Sequence, residues 1–128
     1  MPGRGAPMPN RTIVHFEIPA QDLRRRSTFY AKAFGWKFVD AGMPGFRYLR
    51  IQTGPRGRSV PGGRYARRGP DDRPRSFVGV PKIDPAIRAF TAAGVTVLVP
   101  KTEVPGVGGT FLGEDPEGNP LALFQPRR

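Results

Sequence analysis

An internal repeat constrains the fold of this chain more than any other feature of its sequence. The segment "VHFEIP" at residues 14–19 reads as a strand that ends in proline, and "SFVGVP" at residues 76–81 repeats that pattern. Each segment is followed by an amphipathic helix pattern, a glycine (Gly35 or Gly94) and further strand patterns. The sequence therefore predicts two copies of one unit, made of a strand, a helix and then further strands.

The repeat also sets the expected domain organisation. We expect a single domain over residues 11–128, preceded by a disordered tail at residues 1–10. Within the domain we expect module one over 11–53, a linker over 54–74 and module two over 75–126. Gly, Pro and Arg dominate the tail and the linker, as is typical of irregular segments, and a short strand is expected around "GGRYA" in the linker.

Apolar periodicity predicts two helices, near residues 22–34 and 84–93. In the second helix, Asp84 is the expected N-cap. The apolar side of the first helix is expected to consist of Leu23, Phe29, Tyr30, Ala33 and Phe34. With one helix for about four strands, each curved sheet can place its helix on one face and leave the other face concave. We predict an α+β fold in which two such sheets enclose a groove for a small ligand.

Composition limits the class of protein. The chain has no cysteine, so disulfide frameworks and thiolate sites are excluded. The start lacks the apolar core of a secretory signal, and no apolar run reaches membrane-spanning length, so we expect a cytoplasmic protein without a membrane partner. The net charge of +11 comes mostly from arginine. An arginine-biased surface is favoured over a nucleic-acid interface, because no RNA-binding signature accompanies the charge.

Motifs near both ends of the chain resemble those of a known superfamily. "VHFEIPAQDLRRRSTFYAKAFGWKF" combines H-F-E-I-P, D-L, F-Y and F-G-W, and "GGTFLGEDPEGNPLALFQP" carries D-P-E-G-N before a final strand pattern. Over roughly residues 12–126 the chain resembles the vicinal oxygen chelate superfamily, which includes glyoxalase I, bleomycin-resistance proteins and extradiol dioxygenases. Among its subgroups, the glyoxalase-related proteins are the most similar. The resemblance implies paired βαβββ modules with mixed sheets, a homodimer and, in active members, a divalent metal in the groove.

Most of the metal-ligand positions implied by the resemblance hold no donor. His15, the single histidine, occupies the first-strand position. The module-two position falls on Phe77, or on Arg75 with a two-residue offset; the late module-one position falls near Arg50, and Ala122 stands where a glutamate is expected. Phenylalanine and alanine have no donor atom, and arginine stays protonated. Because a catalytic metal site needs at least three protein ligands, we expect no metal cofactor, with His15 the one surviving candidate ligand.

Strand alternation predicts which residues line the groove. The set combines an imidazole, a carboxylate, guanidinium groups and aromatic rings: His15, Glu17, Phe46, Tyr48, Arg50, Arg75, Phe77, Ala122 and Phe124. Arginine would pair with a carboxylate or phosphate, and phenylalanine would stack on a planar ligand. His15 and Glu17 lie two residues apart on one face and are the candidates for catalytic groups or a proton relay.

These residues support three hypotheses of function. The leading one is a metal-free protein that binds a small planar or anionic metabolite. The alternative is a metal-dependent lyase or isomerase of the glyoxalase type, which would need Glu17, Glu103 or Glu114 to join His15 as ligands. The third is a nucleic-acid-binding protein that uses the linker arginines. A cationic drug, the ligand of bleomycin-resistance proteins, is disfavoured by the strongly basic charge.

Overall fold

The computed structural model describes residues 10–127, and for residues 24–26 it describes the backbone alone. The described residues form two compact units. Unit 1 comprises residues 15–74, and unit 2 comprises residues 10–14 together with 75–127. Apart from Asn10, the predicted disordered tail lies outside the described residues.

Unit 1 contains a four-stranded mixed sheet and one helix. Its elements are β1 (Ile13–Ala20), α1 (Leu23–Phe34), β2 (Lys37–Asp40), β3 (Tyr48–Gln52) and β4 (Gly62–Ala66). The strand order is β2-β3-β4-β1, with β4 parallel to β1 and antiparallel to β3. β4 is the strand expected around "GGRYA". The segment expected to link the modules therefore contributes an interior strand of this sheet.

α1 packs on one face of the unit 1 sheet through aromatic rings and one buried arginine. Phe16 on β1 lies 6.0 Å from Trp36, which follows α1 (ring centroids). Arg64 on β4 is only 2% exposed, and its guanidinium carbon lies 5.1 Å from the centre of the Tyr30 ring on α1. Such a cation–π contact is favoured when it is shielded from water. Leu49 is paired with Arg64 in the register and is also buried, so β3 contributes to the same layer.

The predicted apolar side of α1 is wrong at three positions, Phe29, Ala33 and Phe34, which are exposed. Phe29 and Phe34 are 59% and 62% exposed, whereas Ser27 on the same helix is buried. The reason lies in the layer under the helix, where Tyr30 covers the long side chain of Arg64. Apolar periodicity identifies the helix, but it does not anticipate an arginine from the sheet in the space between helix and sheet.

Unit 2 repeats the topology of unit 1. Its elements are β5 (Arg75–Gly79), α2 (Ile83–Ala92), β6 (Thr96–Val104), β7 (Gly108–Glu114) and β8 (Pro120–Pro126). The strand order is β5-β8-β7-β6, with β5 parallel to β8 and the other pairs antiparallel. In both units the first strand therefore pairs in parallel with the fourth strand of the unit.

The core of unit 2 lies between α2 and its sheet. The buried cluster consists of Val80, Ile83, Phe111 and Leu123, and Ile87 and Phe90 of α2 pack against it. The predicted N-cap at Asp84 is wrong, because Lys82 precedes the helix and makes no side-chain cap. Instead, the side chain of Gln125 on β8 accepts the Ile83 N–H at 2.8 Å. A cap supplied from a distant strand leaves no local sequence signal.

The predicted α+β fold is confirmed, since each unit has the order strand, helix and three further strands, and each sheet is mixed. The groove between the two modules stays a prediction. Within residues 10–127, neither α1 nor α2 has the length and apolar character that would let it cross a membrane.

Gly62 provides a test of the unit 1 packing. A Cβ atom added at Gly62 would overlap the ring of Phe16 on the neighbouring strand. We expect Gly62→Ala to lower the free energy of unfolding by about 1–3 kcal/mol, because the ring has to leave its place between sheet and helix. Gly69→Ala is the matched control, since its added Cβ meets no atom within 4 Å. Urea denaturation measures both variants, and equal midpoints would contradict this packing.

Candidate functional site

The face of the unit 1 sheet turned away from α1 carries the polar pair predicted on β1. Phe16 points toward α1, where its ring contacts Trp36. Because side chains alternate along a strand, His15 and Glu17 point to the opposite face. Both are half-buried.

β3 adds a phenol and a guanidinium to this face. In the β3–β4 register, Tyr48 pairs with Tyr65 and Arg50 pairs with Gly63. Gly63 is at the same time the partner of Glu17 on β1. Gly63 therefore lies between Glu17 and Arg50, in the middle of the face.

Three side chains on this face form a hydrogen-bonded chain. The Tyr48 hydroxyl donates to Glu17 Oε2 at 2.8 Å. His15 Nε2 lies 3.0 Å from the same hydroxyl oxygen. Since the single phenolic proton goes to Glu17, Nε2 must carry the hydrogen and donate to Tyr48. The chain runs from imidazole to phenol to carboxylate, and we call it the His15–Tyr48–Glu17 chain.

Gly63 makes room for this chain. The Tyr48 side chain reaches across β4, and a Cβ atom at position 63 would overlap its hydroxyl group. Only glycine leaves a strand open enough for a ring to cross it in this way. Gly63 was not among the predicted site residues. The signal in the sequence was the pair "GG" inside a strand pattern, which is typical of a close approach by another group.

Burial determines the charge of His15. Desolvation lowers the pKa of His15 from 6.5 to about 4, because transfer out of water disfavours the charged imidazolium. The imidazole is therefore neutral near pH 7, with the hydrogen on Nε2 and a lone pair on Nδ1. A proton that arrives at Nδ1 could be relayed, since Nε2 can pass its hydrogen to Tyr48 and Tyr48 its own to Glu17.

Aromatic rings flank the chain on both sides. Phe46 meets Tyr48 edge to face, with 6.3 Å between ring centroids, and is 45% exposed. On the other side the buried Tyr65 lies nearly parallel to Tyr48, at 6.4 Å and 7°. Phe46 and Tyr48 were predicted for the groove face, whereas Tyr65 was missed because it lies in the segment expected to be a linker.

The rest of that segment contributes two more residues that the sequence did not predict for the site. The Tyr65 hydroxyl donates to Asp72 Oδ1 at 2.8 Å, and the backbone N–H of Arg68 donates to Asp72 Oδ2 at 3.1 Å. The guanidinium carbon of Arg68 lies 5.0 Å from the centre of the Tyr65 ring. Asp72 thus fixes the loop after β4 so that Arg68 lies next to the aromatic rings.

Arg50 is exposed and lies on the same face as the chain. Its neighbour Arg47 differs, because Arg47 pairs with Asp40 at 3.5 Å. An exposed guanidinium beside aromatic rings can bind a carboxylate or phosphate through paired hydrogen bonds.

The remaining predicted site residues lie in unit 2. Phe77 on β5 pairs with Ala122 on β8, and both are buried. Val78 and Leu123, their neighbours along the strands, belong to the core beneath α2. By alternation, the face turned away from α2 carries four predicted residues: Arg75, Phe77, Ala122 and Phe124.

The donor set does not fit a divalent metal. His15 and Glu17 are two potential ligands, and Nε2 of His15 already donates to Tyr48. Nowhere in residues 10–127 do three His, Cys, Asp or Glu side chains gather as a metal site requires. A catalytic site takes three protein ligands and an open position, so no reaction step is assigned to a metal here.

Comparison with known proteins identifies a family. Residues 12–123 match the family model of the "Glyoxalase/Bleomycin resistance protein/Dioxygenase superfamily". Among curated proteins, no match to this sequence is found.

Solved structures with the same fold are numerous. A methylmalonyl-CoA epimerase from Mycobacterium tuberculosis superposes with a TM-score of 0.68 and 16% identity, over 91% of this chain and 88% of the epimerase chain. A member of the same superfamily from Vibrio splendidus has a TM-score of 0.65 and 13% identity, over 92% and 100% of the two chains. A hypothetical protein from Bacillus halodurans has a TM-score of 0.71 and 12% identity, over 92% and 96%. At these identities the similarity shows the fold.

The lowered pKa of His15 predicts how stability depends on pH. Between pH 6.5 and about 4 the unfolded chain binds a proton at His15 that the folded protein does not bind. Stability should therefore fall as the pH drops through this window, by about 1–3 kcal/mol from this group. Because His15 is the single histidine, a proton NMR titration of the imidazole C–H signals measures its pKa directly.

The His15→Gln variant is the control for other titrating groups. It should lose the part of the stability change between pH 6.5 and 4 that comes from the imidazole. The imidazole of the urea-unfolded protein should titrate near 6.5. A folded-state midpoint at that same value would contradict the burial of His15.

Proposed function

This chain belongs to the glyoxalase/bleomycin resistance protein/dioxygenase superfamily, and we propose that it binds a small planar or anionic metabolite without a metal. The observation that carries the proposal is the His15–Tyr48–Glu17 chain, which lies beside the exposed ring of Phe46. A half-buried polar chain next to an exposed aromatic ring is the combination that small-ligand sites use.

The polar chain would contact the polar edge of the ligand. Glu17 is a half-buried carboxylate that accepts from Tyr48, and His15 is a half-buried neutral imidazole. Both can accept a hydrogen bond from a hydroxyl or amide of a ligand. The ring of Phe46 contacts Tyr48 and remains 45% exposed, so it would pack on a planar part of the ligand.

The arginines would provide the anion specificity. Arg50 lies across Gly63 from Glu17, and Arg68 lies over Tyr65. A ligand carboxylate or phosphate beside Arg50 would form charge-assisted hydrogen bonds. The basic character of the whole chain also attracts anions and repels cations.

The metal-dependent alternative has no comparable support, because His15 and Glu17 share Tyr48 and no third donor joins them among the described residues. The nucleic-acid alternative rests on charge alone. Elemental analysis tests the first alternative. One equivalent of transition metal in the purified protein, lost in His15→Ala, would overturn the metal-free proposal and favour the lyase or isomerase.

We further propose a homodimer that acts in the cytoplasm. β6 is the edge strand of unit 2 and exposes three consecutive apolar side chains, Val97, Leu98 and Val99. Exposed apolar side chains on an edge strand are typical of a strand that pairs with another chain. Light scattering should give twice the chain mass of 14.0 kDa. Leu98→Glu should shift the mass toward the monomer, and Thr96→Glu, on the same strand, should not; a monomeric wild type at micromolar concentration would contradict the dimer.

Planar probes test the ligand proposal. We expect benzoate and phenyl phosphate to bind and to shift the imidazole NMR signals of His15, whereas benzamide and benzylamine, which lack the anion, bind more weakly. Arg50→Gln should weaken benzoate binding by about tenfold or more, because it removes a charge-assisted pair. Isothermal titration calorimetry measures each affinity.

Arg47→Gln is the matched control for that substitution. Arg47 is exposed like Arg50, but it pairs with Asp40. By alternation it points to the other face of β3. Its benzoate affinity should equal that of the wild type. Equal losses in the two variants, or equal affinities for benzoate and benzamide, would contradict the proposed site.

A further inference from the structure

Four aromatic rings on α1 and just after it form a continuous cluster. Tyr30 stacks on Trp36 at 5.3 Å and 9° between the ring planes. Phe29 meets Tyr30 at 5.1 Å, and Phe34 meets Trp36 at 5.2 Å. Phe29 and Phe34 are the most exposed large apolar side chains of the described part of the chain, at 59% and 62%. We call these four residues the α1 aromatic cluster.

The cluster is held in place from beneath. Arg64 lies under the Tyr30 ring and is buried, and Phe16 contacts Trp36 from the sheet. The two outer phenylalanines therefore rest on a fixed base of tyrosine and tryptophan. Two exposed phenylalanines on a fixed base would bury apolar area on contact without a large loss of side-chain entropy.

The segment of the sequence that carries the cluster is basic. Between Leu23 and Val39 the sequence has five cationic residues, Arg24, Arg25, Arg26, Lys32 and Lys37, and no acidic residue. The three arginines occupy the first turn of α1, and Lys32 is exposed on the same helix. Lys37 pairs with Gln52 and by alternation lies on the other face of the sheet. Exposed phenylalanine within a basic helix segment is the combination by which proteins bind the surface of an anionic bilayer.

We propose that the α1 aromatic cluster and its basic residues dock this protein reversibly on an anionic membrane surface. Phe29 and Phe34 would enter the boundary between headgroups and acyl chains, while Lys32 contacts lipid phosphates. The expectation of no membrane partner rested on the lack of a spanning segment. A helix that lies on the surface needs no such segment.

The charge of this surface favours an anionic membrane as its partner over a second copy of the chain. A twofold contact through this surface would place the same patch on both subunits, so the cations of one copy would face those of the other. Ring geometry argues against single-stranded nucleic acid. Tyr30 stacks on Trp36 and its ring also covers Arg64, so the faces of this ring are not available to bases.

Vesicle binding tests the proposal with the whole protein. Wild type should sediment with phosphatidylglycerol-containing vesicles and not with pure phosphatidylcholine vesicles. Phe29→Ser/Phe34→Ser should lower the partition coefficient by about tenfold or more, since it removes two apolar side chains from the contact. Ile13→Ser/Val107→Ser is the matched control, because it removes two apolar side chains that are 50% and 44% exposed and lie outside α1. Phe29→Leu/Phe34→Leu keeps the apolar area and should keep binding.

Charge variants separate insertion from general attraction. Lys32→Glu should weaken vesicle binding far more than Lys82→Glu, which makes the same change of net charge in unit 2. Trp36, the single tryptophan, reports the contact directly. Its emission should be quenched by brominated lipids.

Three outcomes would overturn the proposal. In the first, the two serine variants lose vesicle binding equally. In the second, the two charge variants lose it equally and brominated lipids leave Trp36 unquenched, which indicates general attraction of a basic protein. In the third, Phe29→Ser/Phe34→Ser weakens the binding of an RNA oligonucleotide or the self-association of the protein, and leaves vesicle binding unchanged. Urea midpoints near that of the wild type confirm that each variant is folded.

Discussion

Unit 1 depends on two adjacent residues of β4 that have no side chain. Gly62 leaves space for the Phe16 ring on the α1 face, and Gly63 leaves space for Tyr48 on the opposite face. Both faces of the central strand are thus occupied by rings from the neighbouring strands. The ring on one face contacts the aromatic base of α1, and the ring on the other holds His15 and Glu17. Methyl groups at these two positions would disturb helix packing and the polar chain separately.

The fold could be predicted from the sequence because the signals that indicate it are local. A strand pattern that runs into proline and a helix pattern followed by glycine each occur within a few residues, and the repeat shows both of them twice. The turn before the last strand is equally local. The errors arose where a distant residue replaced a local one. Gln125 caps α2 from β8, and Arg64 fills the space beneath α1. Neither contact can be read from the periodicity of the helix itself.

The candidate site was predicted in part for the same reason. Alternation placed His15 and Glu17 on one face, and Tyr48 followed from the pattern of β3. Tyr65, Arg68 and Asp72 were missed, because a segment rich in Gly, Pro and Arg was interpreted as a linker. Its interior strand has two glycines and a buried arginine, a composition that propensity alone assigns to a loop. Register, rather than composition, makes that segment part of the sheet.

The position of Tyr48 between His15 and Glu17 also restricts how this site can evolve. A chain that gained a new carboxylate or imidazole near His15 would still have to withdraw Nε2 from Tyr48 before the imidazole could serve as a ligand through that atom. Withdrawal would disturb the phenol, which is also bound to Glu17. Metal binding through Nε2 would therefore have to compete with the hydrogen bonds of Tyr48. Substitutions at Tyr48 and at the ligand positions are expected to be epistatic, so the order in which they occur decides whether a metal-binding descendant is accessible.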